Sequence, residues 1–191
     1  MVTAVLLKWK RRDELDAIVA HLRTFPDLIN QILIRDNTKT NMKSYGRYLV
    51  FDKAFNDTIY VQDDDCIINN VREIIEAYDG EHIVNGFKKN DRHRYPEKPT
   101  MVGWGTVFDK NWTKCLSRYI ARYGIDDVLM READRIFTGL AKQSRIEIDA
   151  DVEDFPSARE EGIAQYKESD HEEFKQLAYA RIKEINTRHD I

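Results

Sequence analysis

Residues 58–68 read Thr-Ile-Tyr-Val-Gln-Asp-Asp-Asp-Cys-Ile-Ile, and this stretch decides the fold. Its Ile59-Tyr60-Val61 segment is β-branched or aromatic, which is typical of a short buried strand. Three carboxylates, Asp63 to Asp65, follow at once, and apolar residues then resume. Adjacent carboxylates repel one another unless a cation lies between them, so the pattern indicates a metal site, with a solvated turn as the plain alternative. Hard oxygen ligands favour Mg²⁺ or Mn²⁺, shared with substrate phosphates.

Strand-like and helix-like segments alternate on the N-terminal side of this stretch. Buried strands are predicted at 2–7 and 32–34, with an amphipathic helix between them and a further helical segment at 42–51. This alternation predicts a mainly parallel sheet with right-handed crossovers. In such sheets ligands bind at the carboxyl ends of the strands. The polar clusters that follow three strands are therefore expected to converge on one crevice; they lie at 8–12, 35–38 and 63–65.

The remaining chain is less regular. It predicts a helix at 71–78, strands at 82–84 and 101–108, helices at 112–123 and 126–141, a short strand at 146–148 and an amphipathic helix at 169–186. We expect one domain over residues 1–191, with a nucleotide-binding half at 1–66, an acceptor half at 67–150 and a helical tail at 151–191.

Composition excludes several classes of protein. The net charge of −4 is spread over a mixed charged fraction of 34%, so no basic footprint for nucleic acid is present. Cys66 and Cys115 lack a metal-type spacing, which fits free thiols in a reducing compartment. No apolar run reaches membrane-spanning length. We therefore expect a cytoplasmic protein without a membrane span or a nucleic-acid partner.

The order of these features resembles the nucleotide-sugar glycosyltransferases of the GT-A fold, and most of all the exostosin-like transferase domain. The matching segments are Trp9-Lys10-Arg11, Asp36-Asn37, Arg47-Tyr48-Leu49-Val50-Phe51, Asp63-Asp64-Asp65 and the Gly-rich strand ending at Phe108. The resemblance covers about residues 2–141. It implies a single Rossmann-like GT-A domain with helices on both faces of the sheet. It also implies a hexosyltransferase-like enzyme that moves a sugar from a UDP-sugar to a hydroxyl of a glycan or other acceptor.

The resemblance also implies roles for residues at the strand ends. Asp65 would be the direct ligand of Mn²⁺ or Mg²⁺, with Asp63 and Asp64 serving the ribose and the hydrated metal. Arg11 and Asp36 would recognise the base, and Asp36 could accept from a pyrimidine N3–H. Two further contacts are implied: Arg47 to the nucleotide, and Trp9 to the base by stacking, with simple packing as the alternative for Trp9.

The acceptor side needs a carboxylate, because sugar transfer passes through an oxocarbenium-like state. We predict Asp134 in this role and Glu132 as the residue that orients the acceptor. Asp127 competes with Asp134, although a helix-capping role suits the Asp126-Asp127 pair. The less specific candidates are Trp104 and Gly105 for the acceptor sugar, with a core tryptophan as the alternative, and Lys167 and His171 for the diphosphate, with a solvated helix start as the alternative.

Two other functions fit the aspartates. One is an Mg²⁺-dependent phosphoryl or nucleotidyl transferase, since this chemistry also uses carboxylate-bound metal. Against it stands the absence of any glycine before Gly46, which leaves no Gly-rich phosphate loop and no P-loop. The other is a non-catalytic nucleotide-sugar or glycan-binding module, which would keep the aspartates and need no catalytic carboxylate.

Overall fold

The computed structural model describes residues 1–10, 12–88, 99–159 and 169–187. Its strands are β1 (Val2–Lys8), β2 (Ile29–Asp36), β3 (Thr58–Gln62), β4 (Cys66–Ile68), β5 (Ile83–Phe87), β6 (Trp104–Asp109), β7 (Arg145–Asp149) and β8 (Val152–Asp154). The α-helices are α1 (Arg12–Leu22), α2 (Val71–Glu76), α3 (Leu116–Tyr123), α4 (Asp127–Leu140) and α5 (His171–Thr187). Three 3-10 segments cover Lys43–Lys53, Lys110–Cys115 and Pro156–Arg159.

Six strands form the central sheet in the order β2-β1-β3-β6-β5-β7. The pairs β1–β2, β1–β3 and β5–β7 are parallel, whereas β6 runs antiparallel to both of its neighbours. The predicted fold class is therefore confirmed: one mixed α/β domain with a mainly parallel sheet. The three subdivisions predicted within it stay predictions.

The two faces of the sheet carry separate apolar cores. On one face, the core joins the Lys43–Lys53 segment with α3, α4 and α5, and Phe108 and Phe137 lie at its centre with a ring distance of 4.9 Å. On the other face, α1 and α2 pack over β1, β3 and the β4 segment. Val5 and Ala4 of β1 point to opposite cores, as expected for successive residues of a strand buried on both sides. None of the helices in the described parts of the chain is long and apolar enough to cross a bilayer.

The sheet differs from the sequence prediction at two places. The strand predicted at 101–108 begins only at Trp104, and the carbonyl of Val102, just before it, accepts a hydrogen bond from the Arg47 side chain. A second, two-stranded sheet pairs β4 with β8, which the sequence analysis missed. That pairing carries residues of the C-terminal part to the chain just after the three aspartates.

Candidate functional site

The polar clusters at the ends of β1, β2 and β3 meet, as the parallel sheet predicts. Lys8 Nζ lies 3.4 Å from Asp36 Oδ2, which joins the ends of β1 and β2. The backbone N–H of Trp9 donates to Asp64 Oδ2 at 3.3 Å, which joins the ends of β1 and β3. The N–H of Asn37 donates to the carbonyl of Lys8 at 2.9 Å. These contacts define one polar edge of the sheet, which we call the strand-end site.

Asp36 presents an ionised carboxylate at the outer end of this site. The hydroxyl and the N–H of Thr38 both donate to Asp36 Oδ1, and with Lys8 nearby they lower the pKa of Asp36 to about 2. Its side chain is half exposed. Asp36 is therefore a fixed acceptor, which is what the predicted contact to a base N–H requires; the contact itself stays a prediction.

The three aspartates after β3 point to different partners. Asp63 Oδ1 accepts from Arg47 at 2.6 Å, Asp64 Oδ2 accepts from Trp9, and the backbone carbonyl of Asp65 accepts from the N–H of Phe155 at 2.9 Å. Within the described residues, no group of three metal-ligating side chains forms. The donor set still suits Mg²⁺, which commonly takes only one or two carboxylates and completes its shell with water and substrate phosphates.

Arg47 is the central cation of the site, and it is buried, with 3% of its surface exposed. Besides bonding Asp63, it donates from Nη1 to the carbonyl of Val102 at 3.3 Å. Its Nε lies 3.7 Å from Asp134 Oδ1. One guanidinium therefore connects the end of β3, the chain before β6, and α4. A buried arginine with two carboxylates beside it is held in a single orientation, because each alternative would leave a charge unpaired.

Asp134 reaches this cluster from α4. Its Oδ1 accepts from the Tyr48 hydroxyl at 2.9 Å. Burial raises the pKa of Asp134, and the nearby Arg47 opposes that shift. The structure thus brings Asp134, Arg47 and Asp63 together. This arrangement does not test the roles that were predicted for them in sugar transfer.

Glu132 and His171 form a second cluster. Glu132 lies on a kinked turn of α4, and His171 is the first residue of α5. Glu132 has non-helical dihedrals (φ −114, ψ 23), and the Ser44 hydroxyl contacts the carbonyls of Met130 and Arg131 there. The Glu132 carboxylate is buried, accepts from Arg135 Nε at 2.6 Å, and lies 3.7 Å from His171 Nδ1. The sequence analysis assigned Glu132 and His171 to different substrates, whereas the structure places them side by side. Their functional roles stay predictions.

Burial of Glu132 predicts a measurable pH dependence. Burial raises the pKa of Glu132 above its ordinary value, and Arg135 only partly offsets this. A raised pKa in the folded state stabilises the protein fully below the unfolded value, and this contribution is lost as the pH rises through the folded pKa. The free energy of unfolding of the wild type, relative to Glu132→Gln, should therefore fall over the pH range that begins at about pH 4 and extends upward through the raised pKa of Glu132. Urea denaturation of both proteins across this range measures the difference, and a constant difference would contradict the assignment.

Trp104 and Gly105 lie at the start of β6 on the same edge of the sheet. Lys88 Nζ sits over the Trp104 ring at 5.0 Å and pairs with Asp154 Oδ1 of β8 at 2.5 Å. Gly105 has a φ of +78 and packs against Ile74, so a side chain there would be strained. Trp104 is half-buried against the core on the α2 face, which makes packing part of its role. Its contact with an acceptor stays a prediction.

Several residues that build the site were not among the predicted site residues. Gly103 has no room for a side chain, since a Cβ there would lie 1.9 Å from Asp63 Oδ2. A Cβ at Gly46 would lie 2.6 Å from Asn37 Oδ1. Tyr48 and Asp154 were likewise not candidates. The available signal was the glycine beside a short apolar run, which marks a close approach without identifying what approaches. Two predicted residues, Arg11 and Lys167, lie outside the described residues.

The chain matches no protein-family model, and no curated protein matches it either. Solved structures similar to this chain include the following two. One is the inositol-1-phosphate CTP transferase from T. maritima, with 11% identity over 96% of this chain and 97% of that chain and a TM-score of 0.48. The other is a putative glucose-1-phosphate thymidylyltransferase from Bacillus anthracis in complex with a sucrose, with 15% identity over 78% of this chain and 69% of that chain and a TM-score of 0.41.

These findings correct the predicted function. Both of these similar structures are named as nucleotidyltransferases and neither as a glycosyltransferase, so the prediction of a glycosyltransferase was wrong. The specific likeness to the exostosin-like domain is not shown. The physical reason for the error is that a carboxylate-bound metal at a strand end serves both reactions equally well.

Proposed function

We propose that this protein is a nucleotide-dependent transferase that moves a nucleotidyl or phosphoryl group. The observation that supports this most directly is the strand-end site, where β1, β2 and β3 are joined through Lys8–Asp36 and Trp9–Asp64 contacts. Parallel α/β sheets bind ligands at this end of the strands. The site offers an ionised acceptor at Asp36 for the base and carboxylates at the end of β3 for a phosphate-bound cation.

The carboxylates Asp64 and Asp65 are the residues that would hold Mg²⁺. Asp63 is less suited, because its Oδ1 is already bound by Arg47 and its Oδ2 faces Gly103. Bound at this position, the metal would offset the negative charge of the phosphates and polarise the phosphorus under attack. Asp63 would instead orient the turn that carries the two ligands.

The turn between β1 and α1 would bind phosphate through side chains. Its sequence contains Trp9, Lys10 and Arg11 and no glycine. It is therefore unlike the Gly-rich loops that bind phosphate through backbone N–H groups. Lys8 and the exposed Lys10 supply positive charge at this turn. Lysine binds phosphate as a point charge, which suits a site whose geometry is otherwise set by metal. This arrangement answers the objection that the chain lacks a Gly-rich loop.

Nucleotidyl transfer to a phosphate group needs no protein base. A phosphate monoester is mostly ionised at neutral pH, because its second pKa is about 6. The nucleophile therefore arrives deprotonated, and catalysis depends on positioning and charge compensation. This fits a site in which Asp63 is bonded by Arg47 and Asp134 is bonded by Tyr48, so that neither is a free base.

The proposal is tested first by binding. Calorimetry with CTP, UTP, dTTP, ATP and GTP, each with and without Mg²⁺, should show at least one nucleotide that binds only in the presence of the metal. Release of pyrophosphate should then be measured with phosphorylated sugars and polyols, beginning with glucose 1-phosphate and inositol 1-phosphate. Absence of binding for all five nucleotides would refute the proposal, and binding without turnover would point to a non-catalytic module.

A matched pair of variants connects the activity to the site. Asp64→Asn should lower the affinity for the Mg²⁺–nucleotide complex about 10- to 100-fold, the cost of losing one charged contact. Asp57→Asn is the control, since Asp57 precedes the same strand at its other end, is 70% exposed and pairs with Lys110 at 3.2 Å. Equal effects of the two variants would show that the carboxyl end of β3 is not the binding edge.

A further inference from the structure

We infer that Asp134 is a positioning residue that holds Arg47 against Asp63 and so sets the turn at Asp63–Asp65. The contacts run from α4 through a buried guanidinium to the end of β3. The inference rests on the proposed function for its purpose, which is to place the ligands of a metal–nucleotide complex. The inference is that the position of α4 and the position of this turn are coupled. This coupling exists in the protein without any ligand.

The first link is Arg47 itself. Its guanidinium contacts three separate parts of the chain: it donates hydrogen bonds to Asp63 and to the Val102 carbonyl, and its Nε forms an ion pair with Asp134 at 3.7 Å. The planar fork of arginine donors has a fixed geometry, so moving one acceptor changes the fit of the other two. Because Arg47 is buried, water cannot replace a lost partner without opening the structure.

The α4 end of the connection is rigid. Asp134 lies after the kink at Glu132, on the part of α4 whose Ile136 and Phe137 are fully buried. The Tyr48 hydroxyl donates to Asp134 Oδ1, and the Tyr48 ring packs on Phe137 with a centroid distance of 5.8 Å. The carboxylate that faces Arg47 therefore has a fixed position.

The β3 end of the connection has little freedom either. The N–H of Asp63 donates to the Gly103 carbonyl at 2.9 Å, and Asp63 Oδ2 occupies the space where a Cβ of residue 103 would lie. A shift of Arg47 must therefore move the carboxylate of Asp63 and the turn behind it. Asp64 is the next residue, and its contact with the N–H of Trp9 carries the shift to the end of β1.

The alternative role for Asp134 is proton transfer to or from a substrate. Only 14% of the Asp134 side chain is exposed, and its Oδ1 already faces the Tyr48 hydroxyl and Arg47 Nε. A phosphate nucleophile also needs no base. Both observations favour positioning.

The test compares Asp134→Asn with Asp134→Leu in the ligand-free protein. Asparagine keeps an oxygen that can accept from Tyr48 but removes the negative charge that faces Arg47, whereas leucine removes both. In ¹⁵N–¹H spectra, Asp134→Leu should shift the amide signals of Asp63 and Asp64 and the side-chain signal of Arg47, and Asp134→Asn should shift them much less. Asp16→Leu, an exposed position on α1, is the control and should leave them unchanged.

The affinity of the wild type's preferred Mg²⁺–nucleotide complex supplies the second measurement. Asp134→Leu should weaken it about 10-fold, and Asp134→Asn should weaken it less than that. A loss of about 10²–10⁴-fold in turnover by Asp134→Asn, with unmoved Asp63 and Asp64 signals, would overturn the inference in favour of proton transfer. Unmoved signals in Asp134→Leu with a lowered melting temperature would overturn it in favour of a purely structural role.

Two further outcomes keep the inference and the proposed function apart. If wild-type protein binds no nucleotide while the leucine variant shifts the Asp63 and Asp64 signals, the coupling is real and the proposed function is wrong. If Asp134→Leu does not fold, Tyr48→Phe tests the same connection, because it removes the hydroxyl that fixes Asp134. The shift at Asp63 should then appear in weakened form, and its absence would contradict the coupling.

Discussion

Replacing Arg47 with methionine is expected to destabilise the protein by about 3–5 kcal/mol, because it leaves buried carboxylates without their cation. Methionine has a similar length and packs readily, so the loss reports charge more than volume. Asp134 suffers most, since its side chain is the more deeply buried of the two partners. Urea denaturation at neutral pH measures the change in the free energy of unfolding.

The pH dependence of that loss distinguishes charge from packing. Without Arg47, the largest interaction that opposes burial is lost, and the pKa of Asp134 rises further above its ordinary value. The deficit of Arg47→Met should therefore shrink as the pH is lowered and Asp134 takes up a proton. The control is Arg72→Met, since Arg72 pairs with Asp27 and Glu76 on the surface and should matter little. A similar loss in both variants, or one independent of pH, would contradict the role of Arg47 as the charge partner.

Gly103→Ala is expected to cost about 3 kcal/mol, although it adds a single methyl group. A Cβ at this position would lie 1.9 Å from Asp63 Oδ2 and 2.5 Å from its Cγ, so the Asp63 carboxylate must leave. Its departure breaks the 2.6 Å contact with Arg47. We expect Gly103→Ala to be less stable than the wild type. Its affinity for Mg²⁺–nucleotide should also fall, as that of Asp134→Leu should.

The matched test is the double variant Asp63→Ala with Gly103→Ala. Once Asp63 is shortened, the added methyl group has space, so Gly103→Ala should cost less in this background than in the wild type. The interaction free energy between the two positions should reach about 1 kcal/mol or more, the range seen for residues in contact. Strict additivity would show that the close approach of Gly103 to Asp63 does not set the position of the carboxylate.

The wrong prediction of glycosyl transfer has a physical explanation. Consecutive aspartates after a buried strand indicate a hard cation and a phosphate-bearing ligand, and both reactions use these. The sequence analysis favoured glycosyl transfer on the order of short motifs and on the absence of any glycine before Gly46. A fold hosts many reactions, so the order of its elements does not select one.

Strand direction was another feature beyond the reach of sequence patterns. β6 is buried on both faces, like β3, and its residues would suit a parallel strand equally well. Its antiparallel direction places the residues just before it, Val102 and Gly103, beside Arg47 and Asp63 at the end of β3. The β4–β8 pair joins residues 66–68 to residues 152–154, and a pairing over such a distance leaves no periodic signal.

Two features can be predicted from the amino-acid sequence alone: the alternation of strands and helices, and the clustering of polar residues at strand ends. Both follow from local causes: hydrophobic periodicity specifies each element, and parallel strands bring their carboxyl ends to one edge. Which charged side chains contact one another depends on the tertiary structure. Arg47 serves Asp63 and Asp134 together, and Glu132 faces His171, because the sheet and the kink in α4 bring distant residues into contact. The burial that gives these pairs their strength exists only once the two cores have formed.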